Sequence, residues 1–98
     1  MKTCRTNGTK ITNWKTFHNE FKKQMNFPDY YGENMNAWMD CVDELSDAPT
    51  IIEITKGHLL KERAPEQLEA IFECSAFVNY RKIEQGKHPT LMISTQLY

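Results

Sequence analysis

Apolar side chains recur at helical spacing in the first third of the chain. Four of them lie three or four residues apart and would share one helix face: Trp14, Phe17, Phe21 and Met25. Thr12 and Asn13, just before this run, are both favourable N-caps, and the Phe27-Pro28 step is a typical helix end. The pattern therefore predicts a first helix between these two boundaries.

A second helical pattern follows Asn34, which is again a favourable cap, and it separates two kinds of side chain. One stripe is apolar and consists of Met35, Trp38, Met39, Val42 and Leu45. The other is polar and consists of Asn36, Asp40, Asp43, Glu44 and Asp47. Because residues three or four apart lie on the same side of a helix, we expect the first stripe to face the core and the second to form an acidic outer face.

The remaining segments alternate between strands and helices. Residues 50–55 (TIIEIT) and 90–95 (TLMIST) are rich in β-branched side chains, and residues 2–6 form a weaker candidate strand before the Asn7-Gly8 turn. A short helical piece is expected at residues 58–61, and a longer helix from Pro65. The inward residues of that longer helix are predicted to be Leu68, Ile71, Phe72, Cys74 or Ser75, and Val78. The alternation indicates an α/β fold, a small parallel sheet packed by helices, in one domain over residues 1–98.

The composition is that of an ordinary globular protein, with 40% hydrophobic and 26% charged residues. No apolar run approaches the roughly 20 residues of a membrane span, so no membrane contact is predicted. Cys4, Cys41 and Cys74 cannot all pair within one chain and match no zinc-site spacing. We interpret them as free thiols in a reducing cytoplasm that pack as small core side chains.

The charges are segregated along a chain whose net charge is only −1. Residues 28–49 contain six carboxylates and no Lys, Arg or His. Residues 1–27 carry six basic groups against the single acid Glu20, and residues 50–98 balance six against six. A coherent acidic surface on a nearly neutral domain suits a strongly basic partner, and proteins that cut or hold nucleic acid are the commonest such partners.

The acidic segment also resembles a known family. The sequence PDYYGENMNAWMDC at residues 28–41, the Asn7-Gly8 pair and the order of elements are similar to the barstar family, the intracellular inhibitors of guanyl-preferring secreted ribonucleases. The resemblance covers nearly the whole chain and is looser after about Ala64. It implies a three-stranded parallel sheet packed by three to four helices, with the second helix and its preceding loop as the inhibitory face.

The resemblance implies a role for particular residues on that face. Asp40 matches the carboxylate that takes the place of a substrate phosphate and is clamped by the Arg, His and Lys side chains of the ribonuclease. Tyr30 would cover a catalytic histidine, and Gly32 would allow close backbone approach, serve as a turn residue with positive φ, or both. Asn34 is expected to cap the helix, and also to contact the partner. The other predicted contacts are Asn36, Met39, Asp43, Glu44 and Glu73.

Two positions on this face depart from the family pattern. The type inhibitor has an acid where this chain has Asn36, and a tryptophan where this chain has Met39, with Trp38 one place earlier. We assign Trp38 and Tyr31 to the core, with a share in the interface as the alternative for Trp38. Both departures predict a cognate partner different from the familiar ribonuclease. A solvated helix face is the alternative for Glu73.

Other kinds of site find little support. His18, His58 and His88 are scattered without metal-ligand spacing, and we interpret them as surface residues. No nucleophile, phosphate-loop or dinucleotide motif is present, so we predict no enzymatic activity, no metal and no cofactor. The basic residues of the first 27 positions are widely spaced, which does not favour direct nucleic-acid binding.

Three hypotheses of different kinds follow. The first is a cytoplasmic immunity protein, a monomer in a 1:1 complex, that occludes a basic ribonuclease; the ribonuclease is either self-secreted or the toxic domain of a polymorphic or contact-delivered toxin. The second is a barstar-like module that docks on a basic partner without nuclease activity, which the missing acid at Asn36 keeps open. The third is an enzyme or a direct nucleic-acid binder, which steeply salt-dependent RNA binding would support.

Overall fold

A parallel sheet is the centre of the structure, a computed structural model that describes residues 1–97. Its strands β1 (Lys2–Asn7), β2 (Thr50–Thr55) and β3 (Leu91–Ser94) lie in the order β1-β2-β3, with Lys2 opposite Thr50 and Thr50 opposite Leu91. The helices around it are α1 (Trp14–Met25), α2 (Met35–Leu45), α3 (Gly57–Arg63) and α4 (Pro65–Glu84), and a 3₁₀ turn at Gly8–Lys10 follows β1. The predicted α/β fold with a three-stranded parallel sheet is confirmed. Within residues 1–97, no helix combines the length and the apolar character needed to cross a membrane.

Side-chain caps set where α1 and α2 begin. Asn13 Oδ1 accepts a hydrogen bond from the Thr16 amide at 2.9 Å, and Thr16 Oγ1 accepts one from the Asn13 amide at 3.0 Å. This reciprocal arrangement satisfies two amides that the helix itself leaves unpaired. Asn34 Oδ1 caps α2 by accepting from the Ala37 amide at 2.8 Å. Both predicted helix starts are confirmed.

The core forms where the helices meet the sheet, and the side chain of Trp38 lies fully inside it. Its ring contacts Phe21 of α1 edge-on, with 5.5 Å between ring centroids, so its assignment to the core is confirmed. The expectation that Phe72 points inward is wrong, since 43% of it is exposed. Ile71 and Ser75 define the inner face of α4, and Phe72 lies about 100° further round the helix than Ile71.

A charged pair joins α2 to α4 at the edge of this core. Lys82 Nζ lies 2.6 Å from Asp43 Oδ1 and donates a second hydrogen bond to the Asp43 carbonyl oxygen at 3.1 Å. Only 5% of the Lys82 side chain is exposed, against 26% for Asp43. An ammonium group in such a place needs a partner, because burying an unpaired charge is costly.

A second polar pair fixes the loop before α2. The Tyr31 hydroxyl contacts His18 Nδ1 of α1, and both residues are buried. The His18 ring also stacks on Trp14, with 6.0 Å between centroids, while Tyr31 packs on Phe27 at 4.8 Å. The expectation that His18 lies on the surface is therefore wrong, because the aromatic rings around it cover it and Tyr31 satisfies its polar edge. His58 and His88 are exposed, as predicted.

Burial keeps both members of this pair in their neutral forms. It lowers the pKa of His18 below its usual 6.5, although the Glu33 carboxylate acts in the opposite direction. It raises the pKa of Tyr31 well above its usual value of 10, and the nearby Cys41 and Glu33 add to that effect. A neutral His18 can accept the hydroxyl hydrogen of Tyr31 at neutral pH, which ties the loop to α1.

Asp43→Ala should lower the free energy of unfolding by about 1–3 kcal/mol, because it leaves the buried Lys82 ammonium without its partner. Urea denaturation at neutral pH measures this change. Glu44→Ala is the matched control, since it removes an exposed carboxylate one position away and should change stability by no more than about 0.5 kcal/mol. Equal stability of the two variants would contradict a structural role for the Asp43–Lys82 pair.

His18 should make folding stability dependent on pH. Because its folded pKa lies below its unfolded value of 6.5, its contribution is fully present above about pH 6.5 and is lost as the pH falls through the folded pKa. Urea denaturation from pH 8 to pH 5 should show this loss in the wild type and a flatter profile in His18→Gln. His58→Gln, which changes an exposed histidine, should keep the wild-type profile; a wild-type profile in His18→Gln would contradict the assignment.

Candidate functional site

The loop before α2 turns its two adjacent tyrosines in opposite directions. The Tyr31 amide donates to the Pro28 carbonyl at 3.0 Å and closes a turn. Tyr31 is 6% exposed and Tyr30 is 84% exposed, so the predicted core position of Tyr31 is confirmed. Tyr30 consequently projects into solvent from a loop that is fixed underneath by its neighbour.

Gly32 and Asn34 close the rest of the loop on the helix. The expected positive φ at Gly32 is wrong, because Glu33 is the residue that takes the left-handed conformation, with φ 51°. A Cβ at Gly32 would lie 3.3 Å from Asn34 Nδ2, so a side chain there would crowd the residue that caps α2. Asn34 Nδ2 donates to the Gly32 carbonyl at 3.2 Å while Oδ1 caps α2. The capping role of Asn34 is confirmed, and its contact to a partner stays a prediction.

Helix α2 presents Asn36, Asp40 and Glu44 on one exposed stripe. Their spacing of four residues places them one above the other on the helix surface. The Asp40 side chain is 71% exposed. Met39 and Asp43 are half-buried beside this stripe. The separation of a core face from a polar face is confirmed, and Asp43 sits at the boundary between the two.

Two cations from α4 lie against the acidic segment. Arg81 Nη1 is 2.9 Å from Asp40 Oδ1, and Lys82 holds Asp43 as described above. Among residues 1–97, these are the ion pairs that involve carboxylates of positions 28–49. The acidic surface is therefore less uniform than its sequence suggests, because residues about 40 positions away neutralise part of it.

Two depressions flank α2, and five of the nine predicted contact residues line one or the other. One lies between α2 and α4 and is lined by Asn36, Met39, Glu73, Cys74, Phe77 and Arg81. The other lies between the loop and the end of α2 and is lined by Asn26, Pro28, Tyr30, Cys41, Glu44 and Leu45. Glu73 thus joins Asn36 and Met39, and Tyr30 joins Glu44. Asn34 lies apart, in a third depression beside His18 and Glu33.

Sequence patterns missed the contribution of Phe77 and Arg81 of α4 to this region. Phe77 is 48% exposed, and the Arg81 guanidinium carbon lies 5.3 Å from the centroid of its ring. The four-residue spacing of these two positions could have indicated that they are neighbours on one helix face. Nothing in that spacing indicates that the face turns toward Asp40.

The thiols at this surface are poor nucleophiles. Cys41 and Cys74 are half-buried free cysteines, whereas Cys4 is buried, so the expected core position is confirmed only for Cys4. Burial raises the pKa of Cys41, and Glu44 and Asp40 add to the effect. Burial and the adjacent Glu73 raise the pKa of Cys74. Both groups stay protonated at neutral pH, and the thiol form is the unreactive one.

Comparisons with known proteins agree with the architecture. The family model described as Barstar (barnase inhibitor) matches residues 1–93. The "Putative ribonuclease inhibitor YrdF" of Bacillus subtilis (strain 168) is 38% identical over 42 residues, so the match spans 43% of this chain and about half of the relative, 46%. Because the family model matches almost the whole chain, the protein belongs to the barstar family.

Proposed function

We propose that the chain is a single-domain inhibitor that binds a basic ribonuclease and blocks its active site with residues 29–47. Membership of the barstar family supports the inhibitor class, and the relative from Bacillus subtilis carries the description "Putative ribonuclease inhibitor". Within this face, Asp40 takes the place of an RNA phosphate. The exposed position of the Asp40 carboxylate is the observation that supports this role most directly.

Asp40 projects from a helix that is held on its opposite side. Trp38 and Val42 are fully buried in the same helix, while 71% of the Asp40 side chain is exposed. A carboxylate on a fixed element loses little conformational freedom on binding, so more of the interaction energy appears as affinity. Converging Arg, His or Lys donors form charge-assisted hydrogen bonds with a desolvated carboxylate, and these are the strong kind.

The residues around Asp40 are of the kinds that would complement a basic active site. Tyr30 is an exposed aromatic side chain of the kind enriched in interface hot spots. Glu44 beside it, and Glu73 across the groove from Met39, would meet further cations of the partner. Gly32 would leave the loop backbone open to close approach. We include Asn34 and Asp43 in the face as residues that fix its shape, because each is held by hydrogen bonds within the chain.

The proposed place of action is the cytoplasm, and the proposed complex is a 1:1 assembly with one ribonuclease. Its source is either the cell's own secreted enzyme or the toxic domain of a polymorphic or contact-delivered toxin. Neutral Asn36 in place of the family's acid supports a partner different from the familiar ribonuclease. The same substitution is the observation that favours the second candidate function, docking on a basic protein without nuclease activity.

Asp40→Ala should weaken ribonuclease binding by several kcal/mol, the scale that the family's own reference complex sets, because the partner's cations would be left buried and unpaired. Affinity capture from lysate and secreted fractions compares this variant with the wild type, and each captured protein is assayed for RNA cleavage with and without inhibitor. Folding should be nearly unchanged, since exposed ion pairs contribute about 0–1 kcal/mol.

Glu62→Ala is the matched control, because it removes an exposed carboxylate of α3, outside residues 29–47. We expect it to capture and silence the same nuclease as the wild type. A nuclease held equally by wild type and Asp40→Ala would exclude the phosphate-like role of Asp40. A partner held equally by both and lacking nuclease activity would instead support the docking function.

Association with the ribonuclease should be fast and sensitive to salt. Its rate constant should fall by about tenfold between roughly 0.05 M and 0.5 M NaCl, because long-range attraction between the acidic face and a basic partner is screened. Stopped-flow mixing measures this rate. Glu44→Gln should slow association more than it speeds dissociation; a rate constant that is independent of salt would rule out electrostatic steering.

A further inference from the structure

We propose that Arg81 competes with the cations of a binding partner for the Asp40 carboxylate. This competition sets how strongly a basic protein has to bind Asp40 before it can occupy the face. The inference rests on the proposed function of Asp40 and concerns a residue outside residues 29–47. It assigns α4 a role in specificity. The role follows from where the Arg81 guanidinium lies.

Arg81 already binds the Asp40 carboxylate oxygen that the proposed ribonuclease would need. Its Nη1 donates to Asp40 Oδ1 at 2.9 Å, and it is the one side chain in the described part of the chain that donates to this carboxylate. The guanidinium is supported from below by the ring of Phe77, 5.3 Å from the ring centroid. Planar guanidinium groups favour aromatic faces, so Phe77 holds the cation beside Asp40 in the unbound protein.

This pair differs from the neighbouring one in how easily it opens. Lys82 is 5% exposed and makes two hydrogen bonds to Asp43, so its pair is part of the fold. The Arg81 and Asp40 side chains are 30% and 71% exposed, which places their pair at the surface. Exposed pairs are weak, because water solvates both charges when they separate. The pair with Asp40 is therefore the displaceable one.

Either response of Arg81 to a partner weakens binding. If Arg81 leaves Asp40, the complex loses one charge-assisted hydrogen bond and the cation–π contact has to be rearranged. If Arg81 stays, its charge repels the cations that converge on the same carboxylate. In both cases the wild-type protein binds less tightly than a variant without this cation.

The same competition favours clustered cations over isolated ones. A partner that offers Asp40 a single cation exchanges one ion pair for another and gains little. An active site with several converging donors offers more hydrogen bonds than Arg81 can, because a carboxylate accepts up to about four. Arg81 thus weakens the binding of every cationic partner of Asp40 by a similar factor, so a single-cation contact becomes too weak to occupy the face while a contact with several donors persists.

Arg81→Gln tests the inference with two probes: the ribonuclease recovered by capture, and polylysine, which offers separate ammonium groups. We expect Arg81→Gln to bind both probes about two- to fivefold more tightly at low salt, the scale of an exposed ion pair. In an Asp40→Asn background the same substitution should have no effect, because nothing remains to compete for. Titration calorimetry and fluorescence anisotropy measure these affinities.

Two controls separate local competition from other effects. Arg63→Gln removes the same charge from the exposed end of α3 and reports the contribution of net charge alone. Arg81→Met keeps an unbranched side chain against Phe77 and should reproduce the gain of Arg81→Gln. A circular dichroism melt of each variant verifies that it is folded.

The outcomes distinguish the two proposals. If Asp40→Asn weakens ribonuclease binding while Arg81→Gln is neutral or also weakens it, the competitor role is overturned and the proposed function stands. A gain in Arg81→Gln that Arg63→Gln matches, or that persists in the Asp40→Asn background, would also overturn the competitor role. If Asp40→Asn leaves ribonuclease binding unchanged, the proposed role of Asp40 fails; the polylysine measurements still decide whether Arg81 restrains Asp40.

Discussion

The burial of the Trp38 side chain holds the exposed face of α2 in place. The ring lies inside the core against Phe21 of α1, so the helix that carries Asp40 cannot rotate without opening the core. An aromatic side chain of this size contributes several kcal/mol to a core on the usual scale of truncation experiments. The direction in which α2 presents its polar stripe therefore follows from how its apolar stripe packs.

The loop before α2 depends on the same packing. Tyr31 reaches α1 through His18, and Asn34 joins the loop backbone to the first turn of α2. Tyr30, just before Tyr31, and Gly32, between the two anchors, remain at the surface. Rigid support under an exposed surface lowers the entropy lost on association, which suits the proposed inhibitor.

Local rules predicted the elements and the two faces of α2, because the signals lie within a few residues of one another. The residues proposed to contact a partner came from the resemblance to the family. Asn13 and Asn34 predicted where α1 and α2 begin, and the two stripes of α2 predicted that Trp38 and Asp40 face opposite ways. Contacts between distant segments were beyond those rules. No pattern within four residues places Arg81 beside Asp40 or buries His18 under Tyr31, since both depend on how α1, α2 and α4 pack. The acidic surface was overestimated for the same reason.

The long-range contacts of the sheet and of α4 determine when the chain can fold during its synthesis. β1 pairs with β2, whose first residue Thr50 lies opposite Lys2, and Lys82 joins Asp43 from the last turns of α4. These contacts join residues that are far apart in sequence, so the chain loses the entropy of closing long loops before the contacts stabilise it. During synthesis, the segment that carries Asp40 leaves the ribosome well before α4 and β3. The polar face of α2 is therefore complete only when the nascent chain has emerged almost to β3, and the proposed inhibition would begin only then.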